Sequence, residues 1–121
     1  MGNLTDAEWM KRIQFVKIEI FIPEENLAAL QAALQRAGAG AFDRYDSCLS
    51  YAPVTGTWRP LENARPYRGT VGQIFQGEEV KVEVNCRIEA AADVLRAVRE
   101  IHPYEEPVIN VLPQINFLFE K

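Results

Sequence analysis

Glu79-Val80-Lys81-Val82-Glu83-Val84-Asn85-Cys86-Arg87-Ile88 is the stretch that decides the fold. Val80, Val82, Val84, Cys86 and Ile88 alternate without a break against Glu79, Lys81, Glu83, Asn85 and Arg87. A period of two puts the apolar set on one face of a β-strand and the polar set on the other. The pattern also occurs earlier in the chain. Val16-Lys17-Ile18-Glu19-Ile20 matches Val80-Lys81-Val82-Glu83-Val84 at an offset of 64 residues. Phe15 to Ile22 therefore reads as an earlier copy of the same strand.

The helical segment after each strand repeats as well. Leu27, Leu30 and Leu34 make one helical stripe, and the same offset places them on Ala91, Val94 and Val98. Leu95 and Ile101 extend the second stripe. Pro23 suits a helix start, with Glu24 and Glu25 at the positive end of the helix dipole. Gly38-Ala39-Gly40 suits a left-handed helix stop, and Pro103 ends the second helix. Phe42 to Ala52 reads as the second strand and Val108 to Phe119 as the last, where Pro113 demotes part of the run to an edge or a bulge.

Two β-α-β units in one sheet predict the α+β class, specifically a ferredoxin-like βαββαβ sandwich. Its single antiparallel sheet carries two helices on one face. The first and third strands are central, the second and fourth are edges, and Thr55 to Glu78 is a long connection between the second and third. The expected domain runs from 15 to 121. Residues 1–14 form an extension in which Thr5-Asp6-Ala7-Glu8 is a capping box for a short helix reaching about Lys11.

The bulk composition narrows the function. With 121 residues there is room for one core. At 48% hydrophobic and 25% charged the chain is of ordinary globular type. A net charge of −4 with no basic run argues against nucleic-acid and anionic-membrane partners. No apolar stretch approaches the roughly 20 residues of a spanning helix, and Met1 to Arg12 has no signal-peptide apolar region. Cys48 and Cys86 have no metal or redox spacing. They read as reduced thiols, which implies a cytoplasmic protein.

Four features could carry chemistry. His102-Pro103-Tyr104-Glu105-Glu106-Pro107 gathers the single histidine, two carboxylates and a phenol between two stiffening prolines. His102, Glu105 and Glu106 are the donors a divalent metal ion would use, the one cofactor these residues suggest. The same histidine also suits a plain helix C-terminus, where it meets the last carbonyls. Tyr45-Asp46-Ser47-Cys48 sets a thiol beside a carboxylate, although simple strand alternation accounts for it and no basic neighbour lowers the thiol pKa. Gly56-Thr57-Trp58-Arg59-Pro60-Leu61 and Tyr67-Arg68-Gly69-Thr70-Val71-Gly72 lie in the long connection. From Thr57 to Gly72, Arg59, Arg65 and Arg68 stand against Glu62 alone, a local +2. Such arginines suit a phosphate or carboxylate, or an oligomer contact. Arg59, Arg68, Tyr104 and Tyr45 are the expected ligand-binding residues, and no catalytic residue is assigned.

The order of these motifs resembles the PII-like/CutA-like insert domain of the NGG-interacting-factor-three-like family, also called GTP cyclohydrolase I type 2-like. The motifs are the Gly-Ala-Gly after the first helix, Tyr45-Asp46-x-Cys48, Gly56-Thr57-x-Arg59-Pro60-Leu61, Gly69-x-x-Gly72 and the His102 to Pro107 turn. The resemblance covers about residues 15 to 113 and implies a stand-alone copy of the insert. The metal-binding catalytic-type domains that flank the insert in the long proteins have no counterpart here, so their hydrolase activity does not carry over. His102-Pro103-Tyr104-Glu105 is also similar to a turn of the CutA divalent-ion tolerance proteins. CutA and PII proteins are ferredoxin-like trimers, and PII proteins bind effectors between subunits with the loop equivalent to Thr55–Glu78. The resemblance therefore implies a homo-oligomer, a trimer first, with a small-molecule ligand at subunit edges.

Three functional readings fit these residues. The first is a non-enzymatic module that self-associates and binds a small ligand or a divalent metal. The second is a small metal-dependent enzyme or enzyme subunit using His102 with Glu105, Glu106, Asp46 or Cys48. The third is a purely structural interaction domain. In the first two, the site is expected where the His102–Glu106 turn meets the Arg59–Arg68 connection.

Overall fold

The computed structural model describes residues 8–120. The capping box predicted at Thr5 to Glu8 lies mostly outside them, and the 3-10 turn Glu8–Arg12 is the first element seen. Beyond it come four strands and two helices: β1 (Phe15–Ile22), α1 (Leu27–Ala37), β2 (Ser50–Trp58), β3 (Phe75–Arg87), α2 (Ala91–Ile101) and β4 (Ile109–Pro113). The sheet order is β2-β3-β1-β4, and every pairing is antiparallel. This is the ferredoxin-like arrangement expected, with β1 and β3 at the centre.

The core is where the period-two pattern put it. Val16, Ile18, Ile20 and Ile22 of β1 are buried beside Val80, Val82, Val84 and Cys86 of β3. Leu30 and Leu34 of α1 and Val94 and Val98 of α2 cover them. Each such side chain contributes about 1.5–3 kcal/mol when fully withdrawn from water. Both helices thus lie on one face of the sheet, and the other face carries the charged set of β1 and β3. Gly38 ends α1 with a left-handed φ of 92°, and Ala39 N–H returns to Leu34 O at 2.9 Å, a Schellman-type stop. His102 is extended (ψ 131°) because the ring of Pro103 forbids it a helical conformation, and α2 stops there.

The second strand departs from expectation. It occupies Ser50–Trp58, not Phe42 to Ala52. Gly38, Gly40 and Ser47 all take positive φ, which breaks any extended run there. Phe42 and Tyr45 close a tight turn on each other instead. β3 also begins earlier than Glu79, because Thr57 and Trp58 pair with Gln76 and Phe75. Pro53 is tolerated because β2 is an edge. The long connection therefore shrinks to residues 59–74. The final strand is likewise short, and Asn116–Leu118 forms a 3-10 turn beyond Pro113.

Candidate functional site

His102 fixes the turn after α2. Its Nε2–H donates to Phe21 O at 2.7 Å, and Tyr104 N–H donates to its Nδ1 at 3.2 Å. These two bonds set the tautomer, with the proton on Nε2. Burial lowers the imidazole pKa below its ordinary 6.5, against the bond to Phe21 and the charge of Glu79. His102 is 8% exposed, and its ring acts as a strut between the turn and β1.

The strut aims Tyr104 at Glu79. Tyr104 Oη donates to Glu79 Oε2 at 2.8 Å and accepts from Arg68 Nη2 at 3.0 Å. Burial first, and then the Glu79 carboxylate, push the phenol up to about 12 against the opposing effect of Arg68. Tyr104 is therefore a fixed protonated donor and no base. Arg68 Nη2 also donates to Glu78 O at 3.0 Å, while Arg68 Nε is buried without an acceptor. Hydrogen bonding to Tyr104 raises the Arg68 pKa further, so the guanidinium stays charged.

The 59–74 connection is held by its own bonds. Gly72 N–H reaches Pro60 O at 2.8 Å, and Trp58 Nε1–H reaches Arg68 O at 3.0 Å. Arg65 N–H donates to Glu105 Oε1 at 2.8 Å, and Tyr67 Oη donates to Glu25 Oε1 at 3.2 Å. Aromatic rings stack into one cluster around Tyr104. Its centroid lies 5.8 Å from Trp58, 5.9 Å from Tyr67 and 4.9 Å from His102.

Between the connection and the turn opens a cleft of about 780 Å³. Its floor is Gly56, Glu79 and Phe21; Trp58, Tyr67 and Tyr104 stand among its walls. This volume is in the range of small-molecule sites. Arg59, Arg68, Tyr104, Glu105 and Glu106 all line it, so those expected site residues do come together within one chain. His102 supports the cleft from behind through its stack on Tyr104. Tyr45 does not join them: it sits 74% exposed in the turn before β2.

The expected metal set of His102, Glu105 and Glu106 does not assemble. Both His102 ring nitrogens serve backbone groups and Glu105 holds a backbone N–H. Among the described residues no three His, Cys, Asp or Glu side chains are grouped to hold a metal ion. Cys48 stands in the same turn region as Tyr45, and burial raises the Cys86 thiol, keeping it protonated. Sequence reasoning missed Glu79. It reads there as one more outward carboxylate, like Glu83, and only the folded turn brings Tyr104 onto it.

With this geometry in place, the class is plain: the chain has the fold of the CutA proteins. The divalent cation tolerance protein CutA of Archaeoglobus fulgidus superposes with a TM-score of 0.61 at 22% identity, over 87% of this chain and 92% of that one. CutA1 of Shewanella sp. SIB1 gives 0.64 at 18% identity, over 88% and 91%. Beyond the fold, the chain is similar over most of its length to one segment of the GTP cyclohydrolase 1 type 2 homologs, the NIF3-like group. It is 40% identical over 92 residues to the Mycobacterium leprae homolog, covering 76% of this chain and 24% of that protein. The Listeria monocytogenes homolog matches at 33% identity over 112 residues, 92% of this chain and 30% of the other. A Bacillus cereus protein related to NIF3 superposes with a TM-score of 0.75 at 31% identity, over 86% of this chain and 26% of that one. The chain thus spans about a quarter of the length of the curated relatives it matches. No protein-family model matches it. No described helix is long and apolar enough to cross a membrane.

Proposed function

We propose that the chain is a non-enzymatic CutA-like module that self-associates and holds a small ligand in the cleft beside Glu79. The observation that carries the assembly half is the pair of sheet edges, β2 and β4, that no described strand covers, each carrying exposed large apolar groups. Tyr51 lies on β2, 56% exposed, and Val111 and Leu112 lie on β4, 43% and 39% exposed. Open edges of this kind invite strand addition. A second copy fits, because each chain carries both edges and antiparallel pairing of one to the other continues the sheet. Such a head-to-tail contact forms a ring when the rotation between copies closes, and the likeness to CutA favours a ring of three. Cys48 and Cys86 are both free, which suits a reducing, cytoplasmic setting.

The test of assembly is the solution mass of the full chain and of Leu112→Glu. Leu112 lies on the edge strand opposite Lys17. The wild type should be an oligomer and the variant should shift toward the protomer while keeping its circular dichroism. A wild type that is already a monomer removes this half of the reading.

A further inference from the structure

The cleft has an acceptor in its floor that the protein leaves open. Glu79 is only 8% exposed, yet one of its oxygens alone is engaged, Oε2 with Tyr104. Among the described residues no donor is placed on Oε1. That oxygen lies over Gly56, where a Cβ would come within 2.7 Å of it, so the missing side chain keeps the space free. Both residues line the cleft. Oε1 is not among the buried polar atoms left without a partner, so it opens to the water of the cleft, and a ligand donor would take the place of that water.

The walls select a shape. Trp58, Tyr104 and Tyr67 line the cleft as tilted neighbours, with centroid steps of 5.8 and 5.9 Å and interplanar angles of 52° and 48°, and Pro60 and Leu61 add apolar area. A flat ring gains most from such a surface. Arg68 and Arg59 do not turn the cleft into an anion site, because Glu62, Glu79, Glu105 and Glu106 line it with them and leave the lining net acidic. An acceptor-only anion would instead meet Glu79 as a like charge.

We propose that the cleft takes a small planar heteroaromatic ligand bearing an amino or ring N–H donor, received by Glu79 Oε1. This rests on reading the cleft as a ligand site and adds the chemistry that the site selects.

The test titrates the isotope-labelled full chain with aminopyrazine, a neutral donor-bearing ring, and with benzoate, an acceptor-only ring of similar size. The assigned Trp58 indole and Gly56 amide resonances report binding. Aminopyrazine should shift both and benzoate neither, and Glu79→Gln should weaken aminopyrazine roughly tenfold or more, the worth of a hydrogen bond to a charged acceptor. Equal binding of both rings, or binding indifferent to Glu79→Gln, overturns the donor selection while leaving a ligand cleft standing. No shift with either ring overturns the selection and the ligand half of the proposed function together. Should Glu79→Gln fail to fold, Tyr104→Phe provides the second variant. It frees Oε2 as well, so it must keep the preference for aminopyrazine, and loss of that preference overturns the proposal.

Discussion

Glu19 of β1 stands directly opposite Glu83 of β3, and the two are 64 residues apart, the offset of the internal repeat. A residue facing its own equivalent across an antiparallel pair marks a local two-fold axis. α1 (Leu27–Ala37) and α2 (Ala91–Ile101) share that offset, as do the 3-10 turns Glu24–Asn26 and Ile88–Ala90. The axis sets two like charges face to face, which is unfavourable in a sheet. Lys17 and Lys81, themselves equivalents, offset this: Lys81 Nζ is 3.3 Å from Glu19 and 3.5 Å from Glu83, while Lys17 reaches only Glu83 at 3.9 Å.

The symmetry is thus broken in favour of Lys81, and that asymmetry is measurable. Lys81→Met should lower stability more than Lys17→Met in urea unfolding. Added salt should narrow the gap, since these groups are partly exposed. Equal losses, or a larger one at Lys17, contradict the assignment.

Gly56→Ala places a methyl group 2.7 Å from Glu79 Oε1. The carboxylate can move aside only by straining or losing its bond to Tyr104, at a cost of about 1–3 kcal/mol. The expected readout is a lower denaturation midpoint with an unchanged m-value. Wild-type stability would mean that the Glu79–Gly56 contact does not constrain the floor.

Tyr104→Phe keeps the ring and its stacking but strips Glu79 of its donor and Arg68 of one acceptor. The cost should be about 1–3 kcal/mol, that of leaving buried polar groups unmatched. A double-mutant cycle with Glu79→Gln should show coupling, and strict additivity would refute the direct bond.

The sequence has a single histidine, so its titration is unambiguous. Burial holds the folded His102 pKa below 6.5. The unfolded chain then binds the proton more readily, so stability rises with pH across that window. The His102 contribution is complete above about pH 6.5 and is lost as pH falls through the folded pKa. Proton NMR should find the ring titrating below 6.5, and His102→Gln should flatten that part of the stability profile. A midpoint at or above 6.5 would contradict the buried neutral strut.

The central sheet and both helices were legible because they obey local rules. β1 and β3 alternate cleanly, and the helix stripes repeat in register with them. β2 was not legible, since Pro53, Gly56 and Thr57 carry no apolar alternation and are extended only because β3 pairs with them. Of the cleft lining, Arg59, Arg68, Tyr104, Glu105 and Glu106 stood out by residue chemistry within two stiff segments, Glu105 and Glu106 as metal donors. Tyr45 was misplaced with the second strand. Glu79 was invisible because its role depends on a turn 25 residues away. His102 carried a metal-ligand chemistry in sequence that the fold spends on Phe21 O and Tyr104 N.

The most direct measurement is the mass of the full chain in solution by static light scattering at micromolar concentration. Edges as apolar as those of β2 and β4 should be covered by further copies, and the mass should equal three protomers. A mass of one protomer across that range would contradict the account.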